Sequence, residues 1–519
     1  MRVALIGNGV LSNLAALYFK KRLPESVEVV LIGPDDRGGL PLVGESTIEI
    51  TSQFLEGQLG LGEYLCKHHY PKFGLTYYFK LDPDNPDDRT YSVHCNERGP
   101  TNILPLDSWE GPMVRPLSWL LNRDTFDRDI INMVADHGGI KRIKGLVRGV
   151  DLDGERGHTL EIRDTDGSTR SLKADWVIDG TGRNRLLANK LGLIIKPEGQ
   201  RDCFWFRLAD FDRSLLTHLN ALGPKPPVLG EPFHYDRYFT TQHFMGHGNW
   251  IWLIPLRAED GSELISVGLV SHPDVYEHEV HTVDEFLDHV SKAHPVVTDF
   301  VKSGRVVDTN LLRRYHYVVS KVYSPDRWGI VGDAAFAPDP LFSNGLAFGT
   351  LQLEHLGEMI AQDHEGRLSP EYVDALSDAL MGPILGSQTA ISNWYYSMHD
   401  PFLSSLRLTW IEYTYFYMVL PLVVNRCHYQ PDRLKLWKAL QFRQDKNPYE
   451  IPQALINARR LFDKPTPEHF IYRGKEKVNL RALDRVDSVR DILDQLTEGS
   501  TLLGKYTKEV VARVEELAG

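Results

Sequence analysis

Gly7, Asn8, Gly9, Val10, Leu11 and Ser12 read as a G-x-G-x-x-S turn between an apolar strand and a helix. Small residues at such a junction let backbone amides close on a pyrophosphate, whose charge the helix N-terminus favours. Two departures mark the turn. Ser12 stands where a third glycine is usual, and Gly33 stands where the second strand often ends in an acidic residue, leaving Asp35 or Asp36 to reach a ribose. In isolation, an ordinary α/β turn would look the same. Two later strands end alike, however: WVIDGTG (residues 176–182) and WGIVGD (residues 328–333). The second places Gly332 and Asp333 where a carboxylate can accept hydrogen bonds from sugar or ribityl hydroxyls. A glycine turn followed about 320 residues later by a Gly-Asp loop indicates FAD bound in an extended form. Between them, GNWIWLIPL puts Trp250, Trp252 and Ile254 on one face of a strand, because strand side chains alternate. That strand is either plain core ending at Pro255 or a wall built from two bulky rings.

The elements that position these residues follow from periodicity. The first 33 residues read strand, helix, strand, a βαβ unit that predicts a parallel sheet. In VGESTIEITSQFLEGQL, Ser46 and Thr47 are candidate helix caps. LTYYFKLD and similar alternating runs suggest antiparallel strands, and RDTFDRDIINMVADHGG after Asn122 has helical spacing and a Gly-Gly stop. Short strands then return to the nucleotide-binding sheet, and Val147 in one of them either lines an adenine pocket or is a core valine. Residues about 200–300 are strand-rich and aromatic, and predict a second sheet over the cofactor. NGLAFGTLQLEHLGEMIAQ reads as a long helix, and the pattern is helical from about residue 386 to the end.

Composition narrows the class. Of 519 residues, 42% are hydrophobic and 25% charged, with a formal net charge of -12, so a soluble globular protein is expected and nucleic acid is not an expected partner. Cys66, Cys95, Cys203 and Cys427 are far apart and form no metal-ligand spacing; they read as reduced thiols in a cytoplasmic protein, and no metal is implied. The longest apolar run, Tyr415 to Val424, is about half of a bilayer span, which fits a buried helix or a tunnel wall. No export signal precedes the first strand.

The set GNGVLS, GESTI (44–48), RDTFD (123–127), WIWLIP (250–255) and VGDAAFAPDPLFSNG (331–345) resembles that of the flavin-dependent halogenases, over residues 1 to about 385. The resemblance implies an α/β fold. Its parts are a Rossmann-like FAD-binding βαβ sheet of the aromatic-hydroxylase type, a second antiparallel substrate sheet (about 76–104 and 200–300), and a C-terminal helical region over 386–519 that covers the substrate. It implies that Trp250 and Trp252 sit beside the flavin and separate it from the organic substrate. It carries over Glu45, Ser46, Thr47 and Arg123 as flavin contacts. In this family reduced FAD and O2 convert chloride or bromide to hypohalous acid, a small and indiscriminate oxidant that a lysine must hold or capture beside the substrate. Lys72 matches the family lysine by its place 26 residues after Ser46 and its K-x-G-x-x-[FYW] context. If a haloamine forms there, the amine must be neutral, which burial favours.

Halide would be held by the Asn344 and Gly345 amides with Ser343 adjacent, where relatives carry an S-[ST]-G segment. Tryptophan halogenases place a glutamate just before that segment, whereas this chain has Phe342, as in halogenases of electron-rich phenols and pyrroles. A free phenol or other small aromatic is therefore the expected substrate, and an aryl group tethered to an acyl carrier protein the alternative. A separate NAD(P)H-dependent flavin reductase is the expected partner. An FAD monooxygenase that hydroxylates an aromatic ring is the rival activity, but it would not need both tryptophans and Lys72. A flavoprotein that only binds a substrate or partner is the remaining alternative.

Overall fold

The computed structural model describes residues 1–34, 42–82, 84–95, 118–221, 237–438 and 440, with scattered positions beyond 489. Asp35 and Asp36, and most of the chain after residue 440, lie outside the described residues.

The βαβ reading holds. Arg2–Ile6, helix Val10–Arg22 and Glu28–Gly33 open an eight-stranded sheet, in which Trp328–Ile330, Trp176–Asp179, Arg2–Ile6, Glu28–Gly33 and the start of Ile140–Asp151 run parallel. Val3–Ile6 and Val29–Ile32 are almost wholly buried, as a sheet covered on both faces requires. The strand holding Val147 is not short: it spans Ile140–Asp151 and continues past the parallel sheet to pair antiparallel with His158–Asp164, with a register shift between Val147 and Gly149.

A second sheet of seven strands runs in the order Arg305–Leu312, Asp202–Ala209, Glu263–Ser271, Asn249–Arg257, Thr241–Met245, Leu75–Lys80, Tyr91–Cys95. All of its pairings are antiparallel except that of Thr241–Met245 with Leu75–Lys80, which is parallel. Its two faces serve different cores. Phe204, Phe206, Phe244, Ile251 and Leu253 pack toward Phe286 and Phe300 of the helices Val283–Ala293 and Pro295–Ser303. Tyr77, Trp205, Trp250, Trp252 and Ile254 pack on the other side, with Leu341 and Trp394. The alternation across 249–257 is therefore as expected, but the strand does not stop at Pro255. Pairing on the side of Thr241–Met245 ends at Leu253, so the missing Pro255 amide falls where that neighbour has ended.

Helix Asn344–His364 lies behind the Gly-Asp loop as expected. The next helix, Pro370–Trp394, runs straight through residue 386. Its buried Val373, Leu376, Leu380, Ile384 and Ile391 keep helical spacing, so the C-terminal helical region begins as an extension of a helix packed on the core. Helix Pro401–Thr414 follows, then a π-helical turn Tyr415–Val419 and the buried segment Leu420–Val424. No helix among the described residues is long and apolar enough to cross a membrane.

Candidate functional site

The glycine turn is a close-packed junction. Gly7 has φ +108°, and a Cβ there would lie 2.3 Å from the Gly180 carbonyl oxygen. The Ser12 departure has a counterpart across the sheet: a Cβ on Gly180 would meet Ser12 Oγ at 2.1 Å. The serine occupies room that a glycine on the facing strand has yielded. Gly33 is explained in the same way, since a Cβ there would lie 2.8 Å from Asn8 Cβ and backbone nitrogen, which leaves no space for an acidic side chain. Gly332, with φ +57°, admits Leu11, whose Cδ1 would be 2.4 Å from an added Cβ. Gly9, by contrast, is exposed with open space before it, at the start of a helix that carries no acidic residue in its first turn. Asp333 is exposed at the end of its strand, beside the buried Gly332. An open amide-bearing helix start, a Cβ-free cradle and a free carboxylate fit the pyrophosphate and hydroxyl groups of FAD.

The loop 43–48 is held by a strand that no sequence pattern announced, Ser118–Leu120. Ser46 bridges to Leu120, the Glu45 carbonyl accepts from Leu121 N at 2.6 Å, and Thr47 bonds Trp119 through both its amide and its hydroxyl. Ser46 and Thr47 are therefore not helix caps. Ile48 occupies the cap position without a side-chain bond, because both hydroxyls are already engaged. Arg123 braces the loop from below: it makes two bonds to Asp127, at 2.7 and 3.0 Å, and donates to the Val43 carbonyl at 2.8 Å. Glu45 is buried, and burial pushes its carboxyl up to about 7, against the opposing pull of a backbone amide and Ser266. Val147 pairs with Ile162 and packs, half-buried, on the parallel-sheet core.

Lys72 is not a solvated loop lysine. It ends the short strand Tyr70–Lys72, pairs with Ser118, is 3% exposed, and donates to the Thr47 carbonyl at 2.8 Å. Burial brings its ammonium down to about 7, against the opposing pull of the Glu49 carboxylate. Lys72, Phe342 and Asn344 line one cavity. Next to them, Ser343 holds a left-handed backbone (φ +57°) as the cap of helix Asn344–His364, and turns its hydroxyl to Ser46 at 3.0 Å and not to the helix amides. The first-turn N–H groups of Asn344 and Gly345 thus lack a side-chain cap, and Gly345 has open space before it. An anion such as halide would be favoured there.

Trp250 and Trp252 are buried with ring centroids 5.7 Å apart. The Trp252 indole lies flat over Gly268, where a Cβ would come within 2.1 Å, and donates to Ser266 Oγ at 3.1 Å. Trp250 donates to the Tyr395 hydroxyl at 2.9 Å; Tyr395 in turn donates to Asp339 at 2.7 Å, and Asp339 also accepts from the fully buried Arg201 at 2.9 Å. The other Asp339 oxygen caps the turn 340–342 through Leu341 N. His243 stacks on Tyr77 at 4.6 Å and sits 5.4 Å from Trp250. Burial and the nearby Lys72 push this imidazole down to about 3, so it is neutral. Arg201, Asp339 and Tyr395 went unnoticed in the sequence because their separations of 138 and 56 residues leave no local pattern. Among the described residues no cluster suits a metal ion.

A model of the tryptophan halogenase family matches residues 107–380, more than half of the chain. This protein is a member of the flavin-dependent halogenase family. The flavin-dependent halogenase chlA of Dictyostelium discoideum is 26% identical over 469 residues, 83% of this halogenase and 72% of the relative. The 1H-pyrrole-2-carbonyl-[peptidyl-carrier protein] chlorinase of Pseudomonas fluorescens is 26% identical over 313 residues, 59% of this chain and 64% of that one. Among solved structures, halogenase PltM in complex with phloroglucinol and FAD superposes with a TM-score of 0.66 at 16% identity, covering 96% of each chain, a likeness of fold. The halogenase is thus an FAD-dependent, oxidoreductase-type enzyme of α/β fold, as its motifs implied.

Proposed function

We propose that this halogenase takes FADH2 from a separate NAD(P)H-dependent reductase and, with O2 and chloride or bromide, halogenates a small electron-rich aromatic, a free phenol in the first instance. The observation that carries the reading is Lys72: a buried amine, held near neutrality, in the wall of the same cavity as Phe342 and Asn344. The bound flavin would supply the oxidation of halide to hypohalous acid. Gly7, Asn8, Gly9, Val10, Leu11, Ser12, Gly332 and Asp333 bind its phosphates and hydroxyls, and Glu45, Ser46, Thr47 and Arg123 order the loop over its ring. The Asn344 and Gly345 amides, with Ser343 beside them, hold halide. Trp250 and Trp252 keep the organic substrate from the flavin, and Lys72 presents the halogen to it. Residues 1–385 carry this chemistry, and the helices beyond them shape the substrate space.

PltM was solved with phloroglucinol, a free phenol, which supports the substrate class; the Pseudomonas relative is named for a carrier-bound pyrrole. The test is product mass with a reductase, NADH, FAD, chloride or bromide, and a panel of phenols and aryl carrier thioesters. A halogen isotope pattern on free phenols is expected. A gain of one oxygen would mean a hydroxylase, and activity on thioesters alone would move the substrate to a carrier protein. Without a reductase or chemical reductant, NADH and FAD should give no turnover.

A further inference from the structure

The cavity beyond Lys72 carries polar groups that halogen transfer from the lysine does not use. Glu49 and Glu412 both line it, from helices 363 residues apart in sequence, as does Tyr77 from the second sheet. Glu412 is backed by His94, whose Nε2 is 3.1 Å from its Oε1, and Glu49 accepts from the Tyr415 hydroxyl at 3.1 Å. Tyr77 is fully buried, and its hydroxyl has no hydrogen-bond partner among the described residues. Among the described buried groups without a partner it is the one in the wall of this cavity, where a ligand hydroxyl can complete it. Leu75, Phe342, Leu408, Ile411 and Phe416 give the wall its apolar share, and Ser118, Asn344 and Ser387 also line it. Glu49 and Glu412 share this wall with the single amine of Lys72, so the cavity offers acceptors to ring hydroxyls and sets two acidic side chains against any ring that carries a carboxylate.

Resting on the halogenase reading above, we propose that this cavity selects an uncharged aromatic ring bearing more than one hydroxyl, and that Glu412, oriented by His94, accepts a phenolic proton during halogen transfer. Hypohalous acid first converts the neutral Lys72 amine to a haloamine and water. The ring carbon then forms its bond to halogen as the N–X bond breaks, with that electron pair passing to nitrogen. The phenolic proton passes by way of Glu412 to that nitrogen, giving the neutral amine and a halogenated dienone. Glu412 then takes the proton on the substituted carbon and returns it to the oxygen, which restores the aromatic halophenol. Glu49 and the Tyr77 hydroxyl hold the further hydroxyl. An aromatic acid would place its carboxylate against Glu49 or Glu412, and is excluded.

The test compares resorcinol, its dimethyl ether and 3-hydroxybenzoate with the FAD-loaded wild type, Glu412→Gln and Glu412→Asp. Calorimetric binding and kcat/KM with a reductase are both measured. Resorcinol should bind best, Glu412→Gln should lower kcat/KM for resorcinol about tenfold or more, and the ether should change by less than about threefold. Glu412→Asp, which keeps the carboxylate, should recover much of the preference. Equal binding of resorcinol and 3-hydroxybenzoate, or the same resorcinol-to-ether ratio in wild type and Glu412→Gln, would overturn the proposal. A freely diffusing 1,3-diketone trap reads halide oxidation separately. If the wild type fails to halogenate the trap, the halogenase reading is lost, whereas the calorimetric ranking still decides the selectivity of the cavity.

Discussion

Replacing Lys72 by methionine keeps the length of the side chain and removes its proton chemistry, so the pH dependence of stability should report how strongly burial acts on this amine. The ammonium is brought down to about 7 from its ordinary 10.5. Between those values the unfolded chain holds a proton that the folded chain has released. Stability therefore rises with pH by about 1.4 kcal/mol per pH unit in this window, levels off above about 10.5, and carries the full penalty of a buried ammonium below about 7. From pH 7 to pH 9 the wild type should gain about 2 kcal/mol relative to Lys72→Met. Chemical denaturation of both proteins at pH 7, 8 and 9 measures the difference. At pH 7 about half of the amine would be neutral, against roughly one part in three thousand for an ordinary lysine. Parallel stability curves would mean that Lys72 keeps its solution pKa. The haloamine route would then lose the neutral nucleophile it depends on.

Three further outcomes are expected. Lys72→Ala and Lys72→Arg should both retain FAD binding and flavin oxidation while organic halogenation falls by about a hundredfold or more, since alanine lacks the amine and a guanidinium stays charged; normal halogenation in either removes Lys72 from the chemistry. Leucine at both Trp250 and Trp252 should leave FAD bound, measured by fluorescence titration, yet allow some hydroxylated product by mass; unchanged halogenation would return the strand to plain core. Gly180→Ala should weaken FAD binding and cost about 1–3 kcal/mol in stability through overpacking on Ser12, and Ser12→Gly in the same chain should recover most of both; failure of that rescue would show that the clash lies elsewhere.

What was legible in the sequence was local. The strand–turn–helix at Gly7 and Gly9, the alternation of Trp250 and Trp252, and the helix after Ser343 are each written within about ten residues, where periodicity and turn chemistry act directly. The family resemblance singles out Lys72 by its place after Ser46, but its burial is not written nearby, because that depends on Ser118–Leu120 pairing with Tyr70–Lys72 across more than forty residues. The caps assigned to Ser46 and Thr47 failed for the same reason, since the Thr241 hydroxyl and the Trp119 backbone compete for them from far along the chain. Gly33 looked like a missing acidic residue until its approach to Asn8 was visible. Glu412 and His94 come together over 318 residues with nothing in either segment to suggest it.

The chain of bonds from Arg201 through Asp339 and Tyr395 to Trp250 bears on how this enzyme could be re-engineered. Tyr395 follows directly on helix Pro370–Trp394, Trp250 belongs to the seven-stranded sheet, and Asp339 opens the turn that leads into Ser343. A chimera that grafts the C-terminal helices of a relative onto this core, in search of a new substrate range, would cut that chain at Tyr395 and leave a buried carboxylate short of one partner and an indole without its acceptor. Transplants that carry tyrosine at the junction should keep transferring halogen. Those that lack it should accept the new substrate and handle it badly, so the seam for recombination lies after Tyr395 and not at the start of the helix before it.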